Sequence, residues 1–368
     1  MRFVPAVRSL RGSLAVMLLA AGATACGATS SDPGTPPSDE GTTLVAAGDV
    51  GAAAAESTKP SAPVSTDTAA SVAEPLRTHI DARGVVVEIA SIDRIIPLDG
   101  DVAEIVFALG MGDHVVATDL SATYPPEADA LPQIGYQRAL DAEPILEFEP
   151  TLLIGTDVAG PAGVLDELER VGVPLAIVPT PDDASGPGTK IRAIADLLGI
   201  AEEGELLATA VEAEIAAAAP IDPGTSSLGP LRVAMLYVRG ESTQLIFGEG
   251  TSIDWIIEAT GSINVADEMG ISDTAELTAE ALTAAAPDVV LVTEDGLASV
   301  GGIDGLLAMP ALAGTPAAAH RAVLAYDAQL MLGNGPRTGA FLEQLVTDLT
   351  AVRDRLAPDR SDPTQEAP

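Results

Sequence analysis

From about residue 85 the chain alternates short apolar runs with segments of helical spacing. Val85 to Ile89 and Arg94 to Pro97 read as short strands, and Asp101 to Gly110 (DVAEIVFALG) reads as an amphipathic helix stopped by its glycine. Val115 to Ala117 is the next strand. Leu152 to Ile154, a helix over Gly163 to Val171 and a strand over Leu175 to Val178 repeat the strand-helix-strand pattern. Lys190 to Ala218 is a long helical run rich in Ala, Glu and Leu, weakly broken at Gly199 and Gly204. After a linker at Pro220 to Pro230 the pattern restarts. A strand at Leu231 to Val238, a helix at Ile253 to Thr260, a strand at Val289 to Thr293 and a closing helix at Thr338 to Leu356 follow. Strand runs that are apolar throughout suit a parallel sheet covered on both faces. The expected fold is α/β: two similar α/β lobes joined by a long helix, with a ligand cleft between them.

An internal repeat supports two lobes. Ala142-Glu143 precedes Pro150 and the run LLIG; Ala279-Glu280 precedes Pro287 and the run VVLV. Each copy reads as a short helix opened by an exposed carboxylate and ended by proline before a buried strand. Alone, each glutamate is explained by the positive end of the helix dipole. Their matched placement in both halves favours a shared task.

The first copy follows Ile134-Gly135-Tyr136-Gln137-Arg138, where glycine frees the backbone and lifts the next side chain outward. A second Tyr-x-Arg, Tyr237-Val238-Arg239, lies in the strand that opens the second half. Residues i and i+2 of a strand share a face, so this tyrosine and arginine point together. One such pair is an ordinary amphipathic tyrosine beside a surface arginine. Two pairs, one per lobe, favour a ligand site. Met235 shares the face of Tyr237, where core packing is its expected role.

Composition narrows the function. Against 18 Lys and Arg stand 54 Asp and Glu, a formal charge of −36, which repels a phosphate backbone and excludes nucleic acid. There is no HExxH, CxxC, Walker A or GxSxG motif and no acid-base pair, so no enzyme chemistry is expected. Gly333-Asn-Gly335-Pro-Arg337-Thr-Gly339 lacks both the dinucleotide spacing and a P-loop lysine, and reads as a tight turn into the last helix. His79, His114 and His320 read as surface residues.

The amino terminus sets the compartment. Arg2, Arg8 and Arg11 precede an apolar stretch from Leu14 to Ala25, too short for a membrane span. It ends Ala23-Thr24-Ala25-Cys26, which resembles a bacterial lipobox although Ala23 replaces the usual leucine; cleavage before Cys26 and lipid on its sulfur are implied. A plain secretory signal with an incidental cysteine is the alternative. The expected organisation is a signal peptide over 1–25, a disordered tether over 26–82, an N-terminal lobe over 83–187, a linking helix over 188–220 and a C-terminal lobe with a short disordered tail over 221–368.

The segments IIPLDGDVAEIVFALGMGDHVVATDLSATYPPEADALPQIGYQRALDAEPILEFEPTLLIG, LYVRGESTQLIFGEGTSIDWIIEATG and YDAQLMLGNGPRTG resemble those of the substrate-binding lipoproteins of bacterial haem ABC importers. These belong to the helix-linked class that also serves cobalamin and ferric siderophores. With the pattern between them, the segments span most of residues 90 to 355. The resemblance implies haem b as transported ligand, an ABC permease and its ATPase as partners, a monomeric lipid-anchored receptor outside the cytoplasm, and no catalysis. It puts Tyr136 at the first axial haem ligand. Tyr237 falls where some relatives carry a second ligand, with Arg239 hydrogen-bonded to it and Arg138 supporting; one ligand or two stays open. Glu143 and Glu280 match the paired carboxylates that dock on permease arginines. Within the class the rival ligands are cobalamin or a ferric siderophore; outside it, the rival is a haem-modifying extracytoplasmic enzyme.

Overall fold

A computed structural model of the chain describes residues 77–221, 229–240 and 242–357. Cys26, the expected signal peptide and most of the expected tether lie outside them. The first described element already differs from expectation. Strand β1 (Arg77–Ile80) pairs antiparallel with β2 (Val86–Ile89), within the stretch expected to be tether. His79 is correspondingly no free surface group: its Nδ1 lies 2.8 Å from Asp196 Oδ2.

The first lobe holds a parallel three-stranded sheet of β3 (Ile95–Pro97), β4 (Leu152–Gly155) and β5 (Leu175–Ile177), in that order. Around it lie α1 (Gly100–Ala108), α2 (Pro126–Asp129), α3 (Ala142–Leu146) and α4 (Ala162–Arg170). The strand expected at Val115 to Ala117 shrinks to a single bridge between Val115 and Ile95. Three consecutive β-prone residues are too few to hold a ladder when the chain turns away for other partners.

The linking stretch is a helix pair. Gly199, at φ 73°, ends α5 (Gly186–Leu198), and α6 (Ala201–Ala217) folds back on it. Gly204 does not break α6. It lets the helices close, since a Cβ there would come within 2.2 Å of Ala195 Cβ. Arg192 ties them further, bonding both Glu205 and Glu212.

The second lobe's sheet runs β11-β10-β6-β7-β9, with β8 also on β6. Its elements in chain order are β6 (Arg232–Arg239), β7 (Thr243–Phe247), α7 (Ser252–Ala259), β8 (Ile263–Asn264), α8 (Val265–Glu268), β9 (Thr274–Glu276), α9 (Ala279–Ala285) and β10 (Val289–Thr293). Then come α10 (Glu294–Ser299), α11 (Gly302–Leu307), α12 (Pro316–His320), β11 (Val323–Tyr326), α13 (Ala328–Leu332) and α14 (Thr338–Leu356). β6, β10 and β11 are parallel and buried on both faces, as their unbroken apolar runs require. One apolar cluster runs from β3 and α1 through α5 and α6 to β6, α7 and α14, so the lobes share a core.

Candidate functional site

On the first lobe, the chain before Tyr136 is stitched down. The Ile134 N–H donates to the Thr118 carbonyl at 2.9 Å, and the Leu120 N–H donates to the Gly135 carbonyl at 2.8 Å. Ile134 is buried, while Gly135 takes φ 109°, a conformation side chains resist. The turn aims Tyr136 outward, 36% exposed, and its carbonyl accepts the Ala139 N–H at 2.7 Å.

On the second lobe, β6 divides its side chains by parity. Ala234, Leu236 and Val238 enter one apolar cluster, and Val233 and Met235 enter another. Tyr237 continues the face of Met235 past the end of the core, so it is half-buried near the carboxyl end of the strand, where β6 still pairs with β7. Arg239, two residues on, donates from Nε to the Tyr237 hydroxyl at 2.5 Å. Its guanidinium carbon lies 5.4 Å from that ring's centroid, and the Phe247 ring lies 6.3 Å away. The hydrogen bond to Tyr237 is the main cause holding Arg239 above its ordinary pKa; Asp295 acts in the same direction.

The two tyrosines come together. Burial raises the Tyr136 phenol above its ordinary value, and the facing Tyr237 raises it further, while Arg138 and Arg239 pull it down. The result is a pair of phenols from opposite lobes with two guanidiniums beside them. Ligand sites of α/β folds favour the carboxyl ends of the strands, and β6 delivers Tyr237 at such an end.

The remaining expected residues fall as follows. Arg138 is exposed on the turn after Tyr136. Glu143 and Glu280 are exposed at the second positions of α3 and α9, equivalent to one another in fold. Met235 is wholly buried in the core and has no access to a ligand. His320 ends α12 and is exposed, while His114 is half-buried in a turn of 3-10 helix. The sequence reading missed Phe247, Leu120 and Asp295. Phe247 was open to inference, because β7 is the hairpin partner of β6; Leu120, 51% exposed, carries no local signal. A groove of about 560 Å³ on the flank of α9, lined by Arg232, Met269, Ile271 and Ala284 among others, shares no residue with the tyrosine pair. Among the described residues, no group of three His, Cys, Asp or Glu is arranged to hold a metal ion.

Residues 95–330 match the periplasmic binding protein family. The structure is similar to the apo form of the periplasmic haem-binding protein RhuT from Roseiflexus sp. RS-1, with 48% identity and a TM-score of 0.68, covering 71% of this chain and 99% of that one. It is also similar to the periplasmic haem-binding protein BhuT in complex with two haems, with 34% identity and a TM-score of 0.63, covering 70% and 98%. A curated relative, the vitamin B12-binding protein of Vibrio parahaemolyticus, is 32% identical over 84 residues, 23% of this chain. The chain spans only 30% of that relative's length.

Proposed function

Because the chain belongs to the periplasmic binding protein family, we propose that it is an extracytoplasmic receptor that binds ferric haem between its lobes and delivers it to an ABC permease. The observation that carries the reading is the facing of Tyr136 and Tyr237, each beside an arginine. The likeness to RhuT and BhuT, both named as haem-binding, supports it.

Ferric iron is a hard acid and favours an anionic oxygen over a thioether or neutral nitrogen. The Tyr136 phenol is held above its ordinary pKa, so the empty receptor keeps it protonated at neutral pH. Iron must displace that proton, and haem uptake through Tyr136 therefore releases a proton. Arg138 and Arg239 favour the resulting negative oxygen. Tyr136 is the axial ligand in this reading. Tyr237 is either the opposite ligand or a hydrogen-bonding partner, with Arg239 supporting it. No bond in the porphyrin is made or broken, so the protein acts as a carrier and not as an enzyme.

Glu143 and Glu280 dock on cationic groups of the permease. Lipid on Cys26 tethers a monomeric body, with lobes over 83–187 and 221–368, to the membrane outside the cytoplasm. Cys26→Ser should then release the protein from the membrane fraction with hemin binding intact; a serine variant that stays membrane-bound refutes the anchor.

The deciding experiment is a hemin titration followed by absorption and magnetic circular dichroism, with cyanocobalamin and a ferric siderophore in parallel. Hemin should bind with a tyrosinate charge-transfer band, and the double variant Tyr136→Ala and Tyr237→Ala should lose the band and most affinity. Cobalamin binding without hemin binding would instead give the chain the ligand of its curated relative's name.

A further inference from the structure

The segment from Asp327 to Thr338 has no part in the proposed site, yet it reaches from the second lobe onto the first. Gln329, 7% exposed, is its centre. The Gln329 Oε1 accepts the backbone N–H groups of Thr123 and Tyr124, each at 2.8 Å, and the Thr123 hydroxyl at 3.1 Å. Its Nε2 donates to the carbonyls of Gly100 and Tyr124 at 2.8 and 3.0 Å, and to Glu104 Oε2 at 3.1 Å. Eight residues on, Arg337 grips the same patch. Its Nε and Nη2 donate to the two Glu104 oxygens at 2.9 and 2.8 Å, and its guanidinium lies 3.7 Å over the Tyr124 ring. Lys190 of α5 joins Asp101 to the Gly333 carbonyl.

Short, stiff routes lead from both sides of this contact to the tyrosines. On the first lobe, Thr123 is three residues from Leu120, whose N–H holds the Gly135 carbonyl next to Tyr136. On the second, Gln329 is three residues past Tyr326. Tyr326 pairs with Thr293 across β11 and β10, and Val292 pairs with Leu236 across β10 and β6. Thr293 is therefore the strand neighbour of Tyr237. The Gln329 amide, with Arg337 and Lys190 beside it, closes a mechanical ring through both lobes.

We propose that Gln329 is a positioning residue whose clasp on residues 100–124 fixes the distance between the backbone bearing Tyr136 and the end of β6 bearing Tyr237. Its consequence for haem rests on the ligand roles proposed above; its geometry does not. Only an amide serves at this position. Three donors converge on its oxygen and three acceptors on its nitrogen, so glutamate would meet two carbonyls and Glu104 with repulsion, and methionine would strip the Tyr124 N–H and carbonyl of their partner while Glu104 keeps Arg337 and the Thr123 N–H keeps the Ser121 carbonyl.

The test uses the full chain with Cys26→Ser and spin labels on cysteines at two exposed helix positions, Asp166 in α4 and Ala298 in α10. Pulsed dipolar spectroscopy should give one narrow distance for Gln329 and a broadened or shifted one for Gln329→Met and Gln329→Glu. An unchanged narrow distance in a Gln329→Met protein with native near-ultraviolet dichroism overturns the clasp. Should both variants fail to fold, amide exchange in the parent decides. Strong protection of the Thr123 and Tyr124 N–H groups supports the clasp, and exchange at open-loop rates overturns it. A further readout reports on the site itself. With hemin added, the tyrosinate charge-transfer band should weaken or shift in Gln329→Met as Tyr237 withdraws from Tyr136. An unmoved band in that folded variant counts against the positioning role. If hemin fails to bind the parent while the distance still broadens, the haem reading falls and the clasp stands.

Discussion

Tyr237 and Arg239 illustrate what a period of two achieves at the carboxyl end of a strand. The same parity that buries Met235 brings Tyr237 to the rim and Arg239 onto its hydroxyl. Arg239 is exposed, so its charge is partly screened, but its donor geometry is direct. Arg239→Ala should weaken the Tyr237-dependent part of the hemin spectrum, seen in a Tyr136→Phe background. It should also move the acid limit of that part to more alkaline pH, because a negative oxygen at Tyr237 loses its cation. An unchanged acid limit would assign the arginine to packing alone.

At the scale of elements, α3 and α9 are the same device used twice. Each presents a glutamate at its second position and leads through a later proline, Pro150 or Pro287, to a buried strand of its lobe's sheet, although α3 also carries Pro144 in its first turn. Thr278 caps α9 by accepting the Ala281 N–H, whereas Asp141 makes no such cap on α3. The glutamates are therefore not the caps of these helices, and their exposure is available for a partner. Reversing both, Glu143→Arg with Glu280→Arg, should abolish haem uptake by cells and leave hemin affinity within about threefold, since solvent-exposed charges are screened. Normal uptake by the double variant would remove the docking role.

At the scale of the whole molecule, the join between lobes is polar as well as apolar. Asp99 sits beneath it, accepting the Thr156 N–H on one oxygen while the other has no partner. Burial, and next the charge of Asp101, push the Asp99 carboxyl up to about 8; Thr156 and Lys190 oppose this and Asp119 adds to it. The unfolded carboxyl titrates near its ordinary value of 3.8. Between those values the native state holds a proton that the unfolded state has lost, so stability falls as pH rises through the window and levels off above it. Asp119, raised to about 6, and Asp267, raised to about 7, act with the same sign but finish earlier. Denaturant titrations should thus show stability declining from pH 4 to 8, by up to about 1.4 kcal/mol per pH unit for each such group. Asp99→Asn should flatten the last segment, from pH 7 to 8. A parent protein with no slope there would mean that Asp99 is ionised and paired.

How much of this was written in the chain follows from the range of each interaction. Helix spacing, strand parity and the stops at Gly110 and Pro150 act within a few residues, so most elements of the first lobe were legible and, in the second, β6, α7, α9, β10 and α14, the last to the residue, whereas the short β7 to β9, β11 and the helices α8 and α10 to α13 were not. Parity also related Tyr237 to Arg239, and the repeated Glu-to-Pro spacing related α3 to α9. The strand at Val115 to Ala117 was not legible as a bridge, because a ladder needs neighbours that local propensity does not contain. Gly204 read as a weak break for the same reason: its use is close approach to Ala195, which only the folded helix pair creates. Tertiary structure alone decided that Tyr136 and Tyr237, a hundred residues apart, face one another. It alone built a clasp from α13 and the glycine-rich run after it, which read as a plain turn, because Gln329 meets Gly100, Thr123 and Tyr124 and Arg337 meets Glu104 across more than two hundred residues of chain. Side-chain amides and guanidiniums bond with whatever backbone the fold brings to them, and no local pattern in a sequence records that choice.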